Sequence, residues 1–176
     1  MKGLKKHGYI RRVDDFGRII LPKETRQILN IKEGEPLEIS LMGHGIYLGK
    51  YQQLQTLDFL CEQYLSALSK NCSVACAICS CEHIISSRGI SLPSEQILSE
   101  SLQKIIYNLE TYIYSEESPI NVLADGKYLV DTVYPIGTNA QPLGAVILLH
   151  YRNTTLEEKS CAKLIAGILT ELTLNQ

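Results

Sequence analysis

The sequence predicts two structural domains: a β-rich first domain that needs a second copy of itself, and an α+β second domain. Residues 1–50 carry ten Lys/Arg against six Asp/Glu, a balance of +4, whereas residues 51–176 carry seven against thirteen, a balance of −6. From residue 51 onwards, helical and strand periodicities alternate. The predicted boundaries are a first domain at 1–50, a linker helix at 51–70 and a second domain at 71–176.

The first domain is predicted to contain four strands and a short helix. A strand at 8–14 and a strand at 18–21 flank a tight turn at Gly17, and Pro22 opens a helix, since proline suits a first helical position. Strands at 36–41 and 46–50 flank a turn that holds His44, which is expected to be a turn residue and not a ligand. About 43 residues cannot cover this many apolar positions alone, so the domain is expected to dimerise.

Basic side chains cluster around this first turn and helix. Lys2, Lys5 and Lys6 form a short basic arm ahead of it. Cations held on a compact unit suit both phosphate binding and guanine recognition, so a polyanion is the expected partner. The candidate DNA-binding residues are Arg11, Arg12, Arg18, Lys23 and Arg26.

Residues 8–50 resemble the AbrB-type swapped-hairpin DNA-binding domain of bacterial transition-state regulators. The resemblance implies that Arg11, Arg18 and Arg26 contact DNA, with Arg12 and Lys23 beside them on phosphates. The sequence departs from the family at Gln27, where a second arginine is common, and at Tyr9, where a small aliphatic residue is usual. The resemblance rests on Gly8, Ile10, Arg11, Arg12, Asp14, Gly17, Arg18, Pro22, Glu24, Arg26, Ile31, Glu33, Gly34, Pro36, Leu37, Glu38 and Ile39.

The second half reads as an α+β sheet domain. Helices are predicted at 51–70, 94–109 and 155–174, the second one capped near Ser91 or Ser94. The apolar stripe of the first helix, from Leu54 to Leu68, is expected to pack on its own domain or, with more weight, on the partner's copy. Strands are predicted within 73–87, 121–134 and 142–151, with turns at Asp125-Gly126 and at 139–142. The element order resembles a GAF-like domain, and the whole chain is similar to the stage V sporulation protein T group. That resemblance implies a pocket and a small-molecule ligand, not identified by the sequence.

Four cysteines and a histidine fall close together at Cys72, Cys76, Cys79, Cys81 and His83. Zinc sites usually take ligand pairs from turns, whereas this run alternates like a strand and would point Cys76 and Cys79 to opposite faces. Core cysteine is therefore favoured over a metal ligand, although Cys81 and His83 keep metal or redox chemistry open. No metal and no cofactor is predicted.

The sequence predicts a regulator and not an enzyme. It contains no P-loop, no GxGxxG and no G-x-S-x-G pattern. It also lacks a signal peptide and any apolar run near the ~20 residues that span a bilayer. The expected partners are double-stranded DNA, further copies of the chain as a homodimer or homotetramer, and no membrane, in the cytoplasm on the nucleoid. The alternative is an antitoxin-like or scaffold protein in which residues 1–50 mainly dimerise.

Overall fold

The chain divides into two compact units, residues 1–51 and residues 52–176. No helix in the described part of the chain is long and apolar enough to cross a membrane. The computed structural model describes residues 9–29, 31–34, 36–50, 54, 57–92 and 96–174.

The first unit contains a turn, a short helix and a β-hairpin. The turn covers residues 14–17, helix α1 is Lys23–Ile28, and strands β1 (Leu37–Met42) and β2 (Gly45–Lys50) pair antiparallel. The predicted strands at 36–41 and 46–50 are therefore confirmed. Gly43 has a φ of +57°, and the two-residue turn that it forms with His44 closes the hairpin.

The predicted strands at 8–14 and 18–21 are wrong for the single chain. Residues 9–13 and 18–22 are described, and they are neither helix nor strand. A strand exists only where a neighbouring strand accepts and donates its backbone hydrogen bonds. The backbone of this segment bonds across the turn, where Asp14 N donates to Arg18 O at 3.0 Å, and no strand of the described chain pairs with it.

The second unit combines three helices with five strands. In chain order the elements are α2 (Asp58–Cys72), β3 (Cys76–Ser80), β4 (Ile84–Arg88), α3 (Glu100–Tyr107), β5 (Tyr112–Ile113), β6 (Val130–Thr138), β7 (Gln141–Leu149) and α4 (Leu156–Leu174). The strands form an antiparallel sheet with the order β4-β3-β7-β6-β5. Helices α2 and α4 share one apolar core with one face of the sheet, and helix α3 shares a second core with the other face. An α+β fold was predicted and is confirmed.

Helix α2 begins at Asp58 and packs within its own unit, and of the residues predicted to precede it in the helix only Leu54 and Leu57 are described. Its buried residues Cys61, Leu65 and Leu68 join Leu54 and Leu57 in the core that also contains residues of α4. The expectation that this stripe would favour the partner's copy is therefore wrong for the described residues. The sheet of the same chain presents an apolar face to this stripe, so the stripe is buried without a second molecule.

Two other predicted boundaries shift because side-chain and bridge hydrogen bonds end the regular elements. Helix α3 starts after Ser99, whose Oγ accepts from Leu102 N at 3.2 Å and donates to Asn121 O at 2.6 Å. Ser91 is therefore not the cap, and Ser94 lies outside the described residues. Strand β6 starts at Val130, because residues 121–129 form bridges and the predicted turn at Asp125-Gly126.

Helix α4 confirms the prediction of a long terminal helix. Among its apolar residues, Leu169 is buried, whereas Leu156 and Leu164 are exposed. The buried face also includes the small residues Ala162 and Ala166. Small side chains let the helix approach the sheet closely, which a pattern search for large apolar residues does not find.

Candidate nucleic-acid interface

The turn at residues 14–17 is organised by the carboxylate of Asp14. Its Oδ1 accepts from Phe16 N at 3.0 Å and from Arg18 N at 2.8 Å. Gly17 N donates to Asp14 O at 2.9 Å, and Gly17 has a φ of +76°, which favours glycine. The hydrogen bond from the Arg18 backbone is the main reason why the pKa of Asp14 lies below its usual value.

The same carboxylate holds the Arg18 side chain. Asp14 Oδ2 accepts from Arg18 Nε at 2.8 Å, and the guanidinium lies over the Phe16 ring at 4.8 Å from its centroid. These two contacts involve Nε and the flat face of the guanidinium. The two terminal nitrogens of the guanidinium are the donors for a phosphate oxygen or a guanine edge.

Arg11 and Arg12 lie in the segment before the turn, and both are exposed. The Arg11 guanidinium lies 5.9 Å from the centroid of the Tyr9 ring, and its Nη1 donates to Ile10 O at 3.1 Å. Tyr9, the residue at which the sequence departs from the family pattern, thus serves as a support for a candidate cation.

Lys23 and Arg26 lie on helix α1. Pro22 is buried and directly precedes the first residue of the helix. Lys23 and Arg26 are both exposed. Residues three apart on a helix lie on the same side, so Lys23 and Arg26 are neighbours on α1. Arg26 N donates to Pro22 O at 3.0 Å, and Ile31 N donates to Arg26 O at 2.8 Å, so the backbone around Arg26 is bonded at both ends.

The structure therefore places all five predicted cations on the exposed surface of residues 9–29. It holds the Arg18 side chain against the Asp14 turn and places Lys23 and Arg26 on the same side of α1. His44 is exposed in the hairpin turn, as predicted. The assignment of the five residues to DNA stays a prediction.

The cysteine cluster of the second unit is divided by the sheet. Cys76 lies in the core beneath α2 and α4 with Val74 and Ile78, while Cys79 lies in the core beneath α3 with Ala77. Burial raises the pKa of Cys76 to about 12 and raises that of Cys79 further. Side chains on opposite faces cannot share one tetrahedral ion. That the protein needs no metal stays a prediction, which metal analysis of the purified protein would test.

Sequence reasoning missed a buried polar cluster around Asp131 on β6. Its Oδ1 lies 3.3 Å from His150 Nδ1, and its Oδ2 accepts from Thr132 Oγ1 at 2.7 Å and from the Thr154 hydroxyl, with Lys159 Nζ at 3.8 Å. Burial would raise the pKa of Asp131, but the hydrogen bonds from the two threonines and His150, together with Lys159, outweigh burial and lower it. The acid within the apolar run of residues 129–134 is the sequence signal that could have indicated the cluster.

The two units correspond to two known domain families. Residues 10–56 match the family described as "Antidote-toxin recognition MazE, bacterial antitoxin". Residues 56–171 match the family described as "Stage V sporulation protein T C-terminal, transcription factor". The chain thus has the domain composition of a two-domain transcription factor.

Three curated proteins of Bacillus subtilis (strain 168) are similar to this chain. Stage V sporulation protein T is 31% identical over 172 residues, which cover 94% of this chain and 97% of that protein. Transition state regulatory protein AbrB is 32% identical over 61% of this chain and 98% of its own length. Putative transition state regulator Abh is 39% identical over 28% of this chain and 53% of its own length. The chain belongs to the stage V sporulation protein T family, and the resemblance seen in the sequence is confirmed.

Proposed function

We propose that this chain is a DNA-binding transcription regulator of a transition-state or sporulation programme, with Arg11, Arg12, Arg18, Lys23 and Arg26 on the DNA. The assignment to a transition-state or sporulation programme is based on the names of the similar proteins. The observation that carries the proposal is the set of exposed cations built around one rigid turn and one helix in residues 9–29. A regulator of this kind acts on the nucleoid, so the proposal includes a cytoplasmic location.

The Asp14 turn supports a specific role for Arg18. A flexible arginine loses side-chain entropy when it binds a phosphate or a base edge. The bond from Arg18 Nε to Asp14 Oδ2, at 2.8 Å, and the stacking on Phe16 hold the side chain before DNA arrives. Part of that entropy is then lost on folding and not on binding, which raises affinity.

The proposal includes self-assembly through the first unit. Within the described residues of that unit Pro22 alone is buried, whereas Ile10 is 92% and Leu41 is 84% exposed. So many exposed apolar side chains mark an interaction surface. A second copy whose hairpin interleaves with this one would supply strand partners for residues 8–14 and 18–21. The exposed set comprises Tyr9, Ile10, Val13, Phe16, Ile19, Ile20, Ile28, Leu29, Ile39, Leu41, Met42, Ile46 and Tyr47.

For the second unit we propose a GAF-like sensory or assembly domain without catalysis. The antiparallel sheet order β4-β3-β7-β6-β5, with helices on both faces, supports the GAF-like assignment. A small molecule would bind between the sheet and its covering elements. Its identity is not proposed.

The test of DNA binding is a titration of full-length protein with promoter DNA over a series of salt concentrations. Arg18→Ala and Arg26→Ala should each weaken binding by about 1–3 kcal/mol if the side chain reads a base. Lys23→Ala should weaken binding to every sequence similarly and reduce the salt slope by about one. The matched control is Lys104→Ala, because Lys104 is exposed on α3 and its loss changes the net charge equally.

The outcome separates this proposal from a structural role of the arginines. Circular dichroism and sedimentation of each variant must match the native protein, since a variant that unfolds or dissociates would place the arginine in the fold. Native affinity in both arginine variants, or an equal loss with Lys104→Ala, would remove the proposed DNA face.

The match of residues 10–56 to a bacterial antitoxin family favours one other function. In that alternative the first unit mainly dimerises and binds a protein partner. The chain's 39% identity to a putative transition state regulator over 49 residues, and the presence of a 125-residue second unit, support the regulator instead. DNA binding that is unaffected by salt and by Arg18→Ala, Lys23→Ala and Arg26→Ala would favour the alternative.

A further inference from the structure

Two cysteines on helices α2 and α4 lie near each other in the second unit. Cys72 is the last residue of α2, where it is half-buried, and Cys161 is exposed on the second turn of α4. The two helices pack together, since Leu65 and Leu68 of α2 share a core with Ala162 and Ile165 of α4. The two cysteines flank this helix contact.

Arg152 fixes the end of α2 beside the start of α4. Its Nη2 lies 3.4 Å from Cys72 O, and its guanidinium holds Glu158 through Nη1–Oε2 at 3.1 Å and Nη2–Oε1 at 2.5 Å. Glu158 precedes Cys161 by three residues and lies on the same side of the helix. Arg152 therefore bridges the carbonyl of Cys72 to Glu158, which lies one helical turn before Cys161. Burial and, after it, the neighbouring Cys161 raise the pKa of Cys72, so the two side chains lie close enough to influence each other.

We propose that Cys72 and Cys161 are a reversible dithiol–disulfide pair that hydroperoxides oxidise and that locks α2 to α4. The exposed Cys161 thiolate attacks the peroxide oxygen, forms a sulfenic acid and releases hydroxide. The Cys72 sulfur then attacks the Cys161 sulfur, the S–O bond breaks, and the oxygen leaves as water. Two thiols and one hydrogen peroxide give one disulfide and two waters, so the two sulfurs lose the two electrons that the peroxide gains.

The surroundings of the other cysteines favour this pair over any alternative pairing. Cys61, Cys76 and Cys79 are buried, and burial raises the pKa of Cys61 and Cys76 to about 12, which disfavours the reactive thiolate. The raised pKa of the half-buried Cys72 likewise disfavours its thiolate, so the first attack on the peroxide falls to the exposed Cys161. Cys81 lies next to Pro142, with its Sγ 3.4 Å from Pro142 O, at the other end of β3.

The test treats native full-length protein with hydrogen peroxide and then maps its peptides without reduction. Trypsin should release a species that joins residues 71–88 to residues 160–163, and thiol titration of the denatured protein should fall from six to four per chain. Dithiothreitol should restore all six. Cys72→Ser and Cys161→Ser should each abolish the linked species. The control Cys81→Ser removes a cysteine from the same 71–88 peptide and should leave the linkage intact.

Three results would overturn the proposal. The first is the absence of the linked species from a native protein that has lost thiols. The second is its persistence in Cys72→Ser, which would assign Cys161 to another partner. The third is a disulfide between chains, seen as a doubled mass on a non-reducing gel. A melting temperature that rises on oxidation in the native chain and in Cys81→Ser, but not in Cys72→Ser, would support the lock.

Discussion

At the scale of single residues, Asp14 shows how one carboxylate can order both a turn and a functional side chain. It accepts from two backbone nitrogens and from Arg18 Nε. A substitution of Asp14 therefore removes hydrogen bonds from the turn and from the Arg18 side chain at the same time. The neighbouring Asp15 is exposed and serves as a comparison of equal charge.

We expect Asp14→Ala to loosen the turn and to weaken DNA binding, while Asp15→Ala should do neither. The alanine removes the acceptor of the Phe16 and Arg18 amides, so these amides should exchange with solvent faster. Because the pKa of Asp14 is lowered in the fold, its contribution is present above the unfolded pKa and is lost as the pH falls through the folded value. Amide exchange of both variants by NMR measures the effect. Equal exchange in the two would contradict the role of Asp14.

Asp131 gives the second residue-scale prediction. We expect Asp131→Asn to lower the free energy of unfolding by about 1–3 kcal/mol, because His150 and Lys159 lose their charged partner. The folded pKa is lowered, so this stability is present above about pH 4 and is lost as the pH falls through the folded pKa. Denaturant unfolding between pH 3 and 7 should therefore show a smaller acid-side loss in the variant. Asp125→Asn on an exposed turn is the control, and an equal effect of both substitutions would remove the special role of Asp131.

At the scale of elements, the contact between β3 and β7 is set by Gly144. A Cβ at this position would overlap the carbonyl of Cys79 on β3 and would approach Leu54 Cδ1 to 2.8 Å. Gly167 on α4 is the opposite case, because a Cβ there would meet nothing within 4 Å.

We therefore expect Gly144→Ala to destabilise the second unit by about 1–3 kcal/mol through overpacking. Gly167→Ala should stabilise it by up to about 1 kcal/mol through helix propensity. Thermal or denaturant unfolding of both variants measures the difference. If Gly144→Ala melted like the native protein, the close approach of β3 and β7 would be refuted.

At the scale of elements, part of the fold and of the candidate site could be predicted from the sequence. Strands β3 and β4 were found because their apolar residues alternate between two cores, and the AbrB-like motif located the candidate cations. The segments at 8–14 and 18–21 were assigned as strands from their apolar content, but strand formation depends on a neighbour that local sequence cannot specify. The Asp131 cluster was missed for a related reason, since its members come from β6, from the segment between β7 and α4, and from α4, and only the fold brings them together.

At the scale of the whole molecule, assembly is the property that the first unit requires. We expect the full-length chain to sediment as a dimer or tetramer at micromolar concentration. Leu41→Asp should shift it towards the monomer, because the leucine is 84% exposed in the single chain and would be covered in the assembly. The control is Ile113→Asp on β5, which is 57% exposed in the second unit. A native monomer, or an unchanged mass in Leu41→Asp, would contradict assembly through this surface.

The pairing of β3 with β7 also sets the order in which the chain matures on the ribosome. Strand β3 is fully buried, yet its partner on one side, β7, begins at Gln141, and synthesis at roughly 5–20 residues per second separates the two strands by several seconds. Throughout that interval residues 1–51 have already been synthesised, while β3 still lacks its partner β7. Nascent chains on one messenger can therefore associate through their first units before the second unit closes, so subunits from the same polysome would assemble with one another.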